Sequence, residues 1–73
     1  MEYKTTDIVL AAFLKLNGIP LLRIDKQGQR GIFVFGTTDQ ALVAEYDLGN
    51  ARVEPVAFNN TIKQLTTSVR RAD

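Results

Sequence analysis

The chain has 73 residues, with nine lysines and arginines against eight aspartates and glutamates, no cysteine and no histidine. That length holds one domain, residues 1–73, and the 45% hydrophobic content is that of a globular chain. The composition excludes disulfides, thiolate metal sites and imidazole acid–base chemistry. It also lacks the basic excess by which a dedicated nucleic-acid binder neutralises phosphate.

Along the chain, Thr5-Thr6-Asp7 reads as a helix start: a threonine hydroxyl accepts from first-turn N–H groups and Asp7 complements the helix dipole. The helix runs from Ile8 to Leu16, with Gly18 as its left-handed closing residue and Pro20 as a stop. Its apolar run is far shorter than the roughly 20 residues a bilayer crossing needs. No basic segment precedes it and no small-residue cleavage site follows, so a cytoplasmic location is expected. Leu21–Ile24 and Ile32–Phe35 read as strands joined by a polar, glycine-containing hairpin segment. Both faces of Ile32–Phe35 are apolar, which calls for cover on both sides.

Thr37 and Gln40 have capping-box spacing, opening a second helix that runs to about Leu48 and closes at Gly49-Asn50. Ala51–Glu54 alternates as a short third strand. Pro55 suits the first turn of a last helix, although Asn60 is an alternative cap. Phe58, Ile62, Leu65 and Val69 form its apolar stripe, and Arg70 and Arg71 favour its last turn.

The expected fold is therefore α+β, in the order α-β-β-α-β-α. Numbering the expected strands along the chain, the three-stranded sheet has order 2-1-3, all antiparallel. The alternative puts Ile32–Phe35 in the middle with Ala51–Glu54 parallel to it. A faint echo relates Thr5-Thr6-Asp7 to Thr37-Thr38-Asp39, and Leu10, Ala12 and Leu16 to Leu42, Ala44 and Leu48. It reads either as one capping solution used twice or as an ancestral duplication.

Carboxylates are the only candidate acids or bases, and each of those along the elements has a structural explanation in a helix first turn, a hairpin or a helix body. None pair at helical spacing to aim at one point. Gly28-Gln29-Arg30-Gly31 lacks the lysine and following helix of a phosphate loop, and the single serine, Ser68, has no histidine to activate it. The expectation is no enzyme, no cofactor and no metal.

Two surfaces remain. Arg23, Lys26 and Arg30, helped by Arg70 and Arg71, are candidate nucleic-acid contacts, since hairpin side chains can track a phosphate backbone. Against this, Arg30-Gly31-Ile32-Phe33-Val34-Phe35 departs from the aromatic strand of RNA-recognition sheets at residue 32. The first helix is apolar all round, with Lys15 its sole charge. It is either covered by a second subunit, through Val9, Phe13, Leu16, Phe33 and Phe35, or sandwiched between the sheet and the last helix. The first option makes the protein a homo-oligomeric interaction module.

Taken together, Tyr3-Lys4-Thr5-Thr6-Asp7, Ala11-Ala12-Phe13-Leu14 with Gly18, Leu21-Leu22, Arg30 leading into Phe33-Val34-Phe35, and Val53-Glu54-Pro55 with Phe58 resemble a family of short bacterial and phage proteins known only as a domain of unknown function. The resemblance spans nearly the whole chain and rests on caps, turns and core positions. It implies a small accessory protein, often encoded near mobile-element genes, and assigns no catalytic or binding residue.

Overall fold

The computed structural model describes residues 2–36, 40–49 and 52–71. In chain order the elements are β1 (Tyr3–Thr5), α1 (Ile8–Leu16), β2 (Leu21–Gln27), β3 (Arg30–Phe35), α2 (Gln40–Asp47) and α3 (Pro55–Arg71). The sheet is antiparallel throughout, with order β1-β3-β2. The fold is α+β as expected, but the sheet is built differently. Its third strand is Tyr3–Thr5, and residues 52–54 form no strand; Ala51 lies outside the described residues. The central strand is β3, not Leu21–Ile24, and its second neighbour is antiparallel β1 rather than a parallel strand.

The first helix begins where the sequence says, with a different division of labour at the cap. Asp7 is itself the N-cap: its Oδ1 accepts from the N–H groups of Val9 (2.9 Å) and Leu10 (3.2 Å). The Thr5 hydroxyl accepts from the Asp7 N–H at 3.1 Å. Asp7 Oδ2 also accepts from the Tyr46 hydroxyl at 2.9 Å, tying α2 to the start of α1. Burial, and then this bond to a carboxylate, push the Tyr46 phenol above its ordinary pKa. Asp7→Ala is expected to cost about 1–2 kcal/mol in urea unfolding, the scale of a lost N-cap, whereas Asp7→Asn should keep most of the stability.

At the other end, the Ile19 N–H donates to the Leu14 carbonyl and the Gly18 N–H to the Lys15 carbonyl, both at 3.1 Å. These are the paired bonds of a Schellman closure, with Gly18 at φ +85°. β2 and β3 then meet across a two-residue turn, Gly28-Gln29, where Gly28 takes φ +64°. That is the positive φ a type II′ hairpin asks of its first central residue. Leu22 bulges out of β2, since Leu21 pairs with Phe35 while Arg23 already pairs with Val34.

The helices cover one face of the sheet. Leu10, Ala11, Ala12, Phe13 and Leu14 of α1 join Phe33, Phe35 and Leu65 in one core cluster. α1 is thus sandwiched within a single chain, packed against α3, α2 and β1. Ala11 and Ala12 have no exposed surface, and their small side chains let neighbouring elements approach closely. α3 starts at Pro55, not Asn60, because Glu54 caps it: its carboxylate accepts from Val56 N–H (3.1 Å) and Ala57 N–H (2.6 Å). The expected stripe faces the core, Leu65 most deeply, and buried Thr61 satisfies its hydroxyl by donating to the Ala57 carbonyl at 2.9 Å.

The two-unit echo does not extend to packing. Leu10 and Ala12 are buried, whereas Ala44 is exposed and Leu48 is 74% exposed. No strand follows α2 at 52–54 as β2 follows α1. Of the Thr37–Gln40 capping box, Thr37 lies outside the described residues, and α2 begins at Gln40.

Candidate functional site

The face of the sheet away from the helices carries no covering element among the described residues. Strand alternation puts Phe33 and Phe35 on the helix side and Ile32 and Val34 on this outer side. Val34 is nonetheless fully buried. Its register partners are Lys4 on one side and Arg23 on the other, whose aliphatic stems can cover it. The two phenylalanines are buried in the helix-side core, so they offer bases no stacking platform on the open face.

Arg23 is clasped by two carboxylates. Its Nη1 and Nη2 donate to Glu2 at 2.9 and 3.2 Å, and its Nε donates to Asp25 Oδ1 at 3.1 Å. The Arg23 bonds hold the Glu2 carboxyl below the usual glutamate range, and the two acids in turn raise Arg23. The charge of Arg23 is therefore already compensated.

The other candidate cations are spread out. Lys26 pairs in register with Gly31 on the outer strand β2, and Arg30 is exposed where β3 begins. Arg70 lines a groove beside the hairpin turn, and Arg71 lines a separate hollow of about 490 Å³ with Lys15 and Lys63. The five do not converge on one surface. Of the residues expected at an oligomer interface, Phe13, Phe33 and Phe35 are at most 2% exposed within one chain. Only Val9 (38%) and Leu16 (39%) are accessible, and Ile32–Phe35 is the central strand, not an edge. The central part of the apolar helix, Leu10 to Leu14, is buried within one chain.

The structure does expose one incomplete element. β3 pairs with β2 along its length, but with β1 only from Phe33 to Phe35. Antiparallel strands turn successive residues' N–H and C=O groups alternately to one neighbour and the other. The tight turn faces those of Arg30 toward β2, so those of Gly31 face the β1 side. In the register of β1 the partner of Gly31 would be Asp7. The chain has turned by then: Asp7 N–H is bound by Thr5, and Asp7 C=O accepts from Ala11 N–H at 2.9 Å. Among the described residues no loop or helix supplies that hydrogen-bond partner, although Gly31 itself is buried, with Val69 of α3 packed against it.

A concavity lies on each side of this open edge. On the helix side, Ile8, Phe33, Val69, Thr6 and Arg70 line a groove of about 300 Å³. On the outer side, Lys4, Thr5, Thr6 and Ile32 line one of about 360 Å³. Neither lining includes a carboxylate. Gly31 belongs here for a steric reason: a Cβ would lie 2.7 Å from Val69 Cγ2, so its lack of a side chain lets α3 close the groove floor. Sequence reasoning missed Lys4, Thr6, Ile8 and Val69 as a group. The available signal was a lone glycine inside a strand, which marks close approach of another element.

Among the described residues, no three carboxylates gather to hold a metal ion, and no helix is long and apolar enough to cross a membrane. No curated protein and no solved structure matches the chain. A family model does match, over residues 1–70, and it spans every element that builds the open edge. The chain therefore belongs to the DUF5659 family, a domain of unknown function.

Proposed function

We propose that the chain is a non-enzymatic protein-interaction module that accepts an extended segment of a partner protein along the open edge of β3. The supporting observation is the stretch of β3 that β1 leaves unpaired, Arg30 to Ile32, in which Arg30 is exposed, Ile32 half-buried and Gly31 buried against Val69. A strand added there gains main-chain bonds from the edge and side-chain contacts from the grooves. The structural roles of four carboxylates support a non-catalytic reading. Asp7 and Glu54 cap helices, and Glu2 and Asp25 clasp Arg23.

Nucleic-acid binding is the second reading, favoured by the hollow at Lys15, Lys63 and Arg71, which no carboxylate lines. Its hydroxyls are already engaged, since Thr67 and Ser68 each donate to their own helix at 3.0 Å. Lys15 and Arg71 also have a sufficient explanation in the last turns of their helices.

The test is a random decapeptide array, followed by amide chemical-shift mapping of the peptides retained. Bound peptides should move the Gly31 and Ile32 amides. Thr6→Trp, an exposed substitution that plugs both concavities, should abolish binding without changing the unfolding midpoint. The reading fails if no peptide shifts those amides. It fails in favour of the alternative if single-stranded or duplex oligonucleotides bind instead, with the steep salt dependence of phosphate contacts.

A further inference from the structure

We infer that α2 is a displaceable cover: it lifts off α1 while the sheet, α1 and α3 stay folded, and so bares the Phe13 side of α1. α2 contributes no buried residue to the fold. It meets the core through half-buried Leu42, Val43 and Tyr46, and its other residues are exposed. Among the described residues, α1 is the one element against which it packs appreciably. α3, by contrast, sinks Leu65 into the core at 1% exposure and buries Thr61. Departure of α2 therefore returns little apolar surface to water, and an element held by few buried apolar contacts opens at a lower free energy than the whole domain. Its eight residues are also too few to hold a helix alone in water, so lifting and unwinding are one event.

The latch is Tyr46. Its ring lies against Phe13, with centroids 6.1 Å apart, and its hydroxyl donates to Asp7 Oδ2 at 2.9 Å. The cap of α1 does not depend on that bond, because Asp7 Oδ1 is the oxygen that accepts from the Val9 and Leu10 N–H groups. α1 therefore keeps its first turn when the latch opens. Phe13 is 2% exposed with Tyr46 in place, and it lies on α1 between Val9, 38% exposed, and Leu16, 39% exposed. Spacings of four and three residues set these side chains on one face of the helix. Lifting α2 thus joins two separate apolar spots into a single stripe.

Native-state hydrogen exchange in urea below the unfolding midpoint tests this on the intact chain and on Tyr46→Phe, which keeps the ring and loses the bond to Asp7. The α2 amides should exchange as one set, sooner than those of Leu14 and Leu65 and with little urea dependence, because their opening exposes little surface. Tyr46→Phe should speed α2 exchange about three- to tenfold, the scale of one hydrogen bond, and leave Leu14 and Leu65 unchanged. A Leu42→Ala/Tyr46→Ala variant should bind the apolar dye ANS more strongly than the intact chain while Leu14 and Leu65 stay protected. The inference is overturned if the α2 amides share the free energy and urea dependence of Leu65, or if Tyr46→Phe speeds all of them alike. It is overturned too if the double variant loses protection at Leu14 and Leu65, or keeps it with no added dye binding.

Discussion

Phe35→Ala should remove about half of the chain's folding stability. Phe35 has no exposed surface and lies on the helix side of the central strand, where β1, β2 and the core cluster meet. Removing a buried phenylalanine costs about 3–5 kcal/mol, because transfer energy is lost and the cavity collapses only in part. A domain of this length has a total stability of roughly 4–11 kcal/mol, so one such change removes much of it. Circular dichroism and a urea titration would show the midpoint falling by about half. Leu48→Ala, at a residue 74% exposed, should shift the midpoint little and serves as the control. A near-normal midpoint for Phe35→Ala would mean that the core is not organised around β3.

Gly31→Ala tests the contact on which the groove depends. The new Cβ would stand 2.7 and 3.1 Å from the two methyls of Val69. A β-branched side chain in a helix has little rotamer freedom with which to yield, so the end of α3 must move. Overpacking of this kind costs about 1–3 kcal/mol. Combining it with Val69→Ala should recover part of the loss, with a coupling of about 0.5–3 kcal/mol between the two positions. Additive effects in the urea midpoints would place the two residues out of contact.

The legible parts of the fold were those encoded locally. The start and end of α1, the stripe on α3 and the hairpin each follow from residues within a few positions of one another: Asp7 and Gly18, Phe58 to Val69, Gly28 between two apolar runs. β1 was not legible. Three residues carry too little alternation to announce a strand, and Tyr3-Lys4-Thr5 is a strand only because β3, distant in sequence, lies beside it. Ala51–Glu54 failed for the opposite reason. Its alternation is real, but Glu54 is used to cap α3 and no strand edge receives 52–54. The buried places of Phe13, Phe33 and Phe35 followed from a choice the sequence left open, whether one chain has enough material to surround α1. It does, because two alanines at the centre of that helix let its neighbours close in. The open edge at Gly31 could not be seen until β1 had been placed, since it exists only where β1 stops.

The position of β1 also governs timing. β2 and β3 are neighbours in the chain and can zip together as soon as both leave the ribosome, but Tyr3 must wait for Phe35 to be synthesised before its partner exists. The first strand made is thus the last to dock, and until it does the whole far side of the central strand stands bare. A chain whose hairpin has formed before β1 docks displays a longer unpaired edge, running on to Phe35.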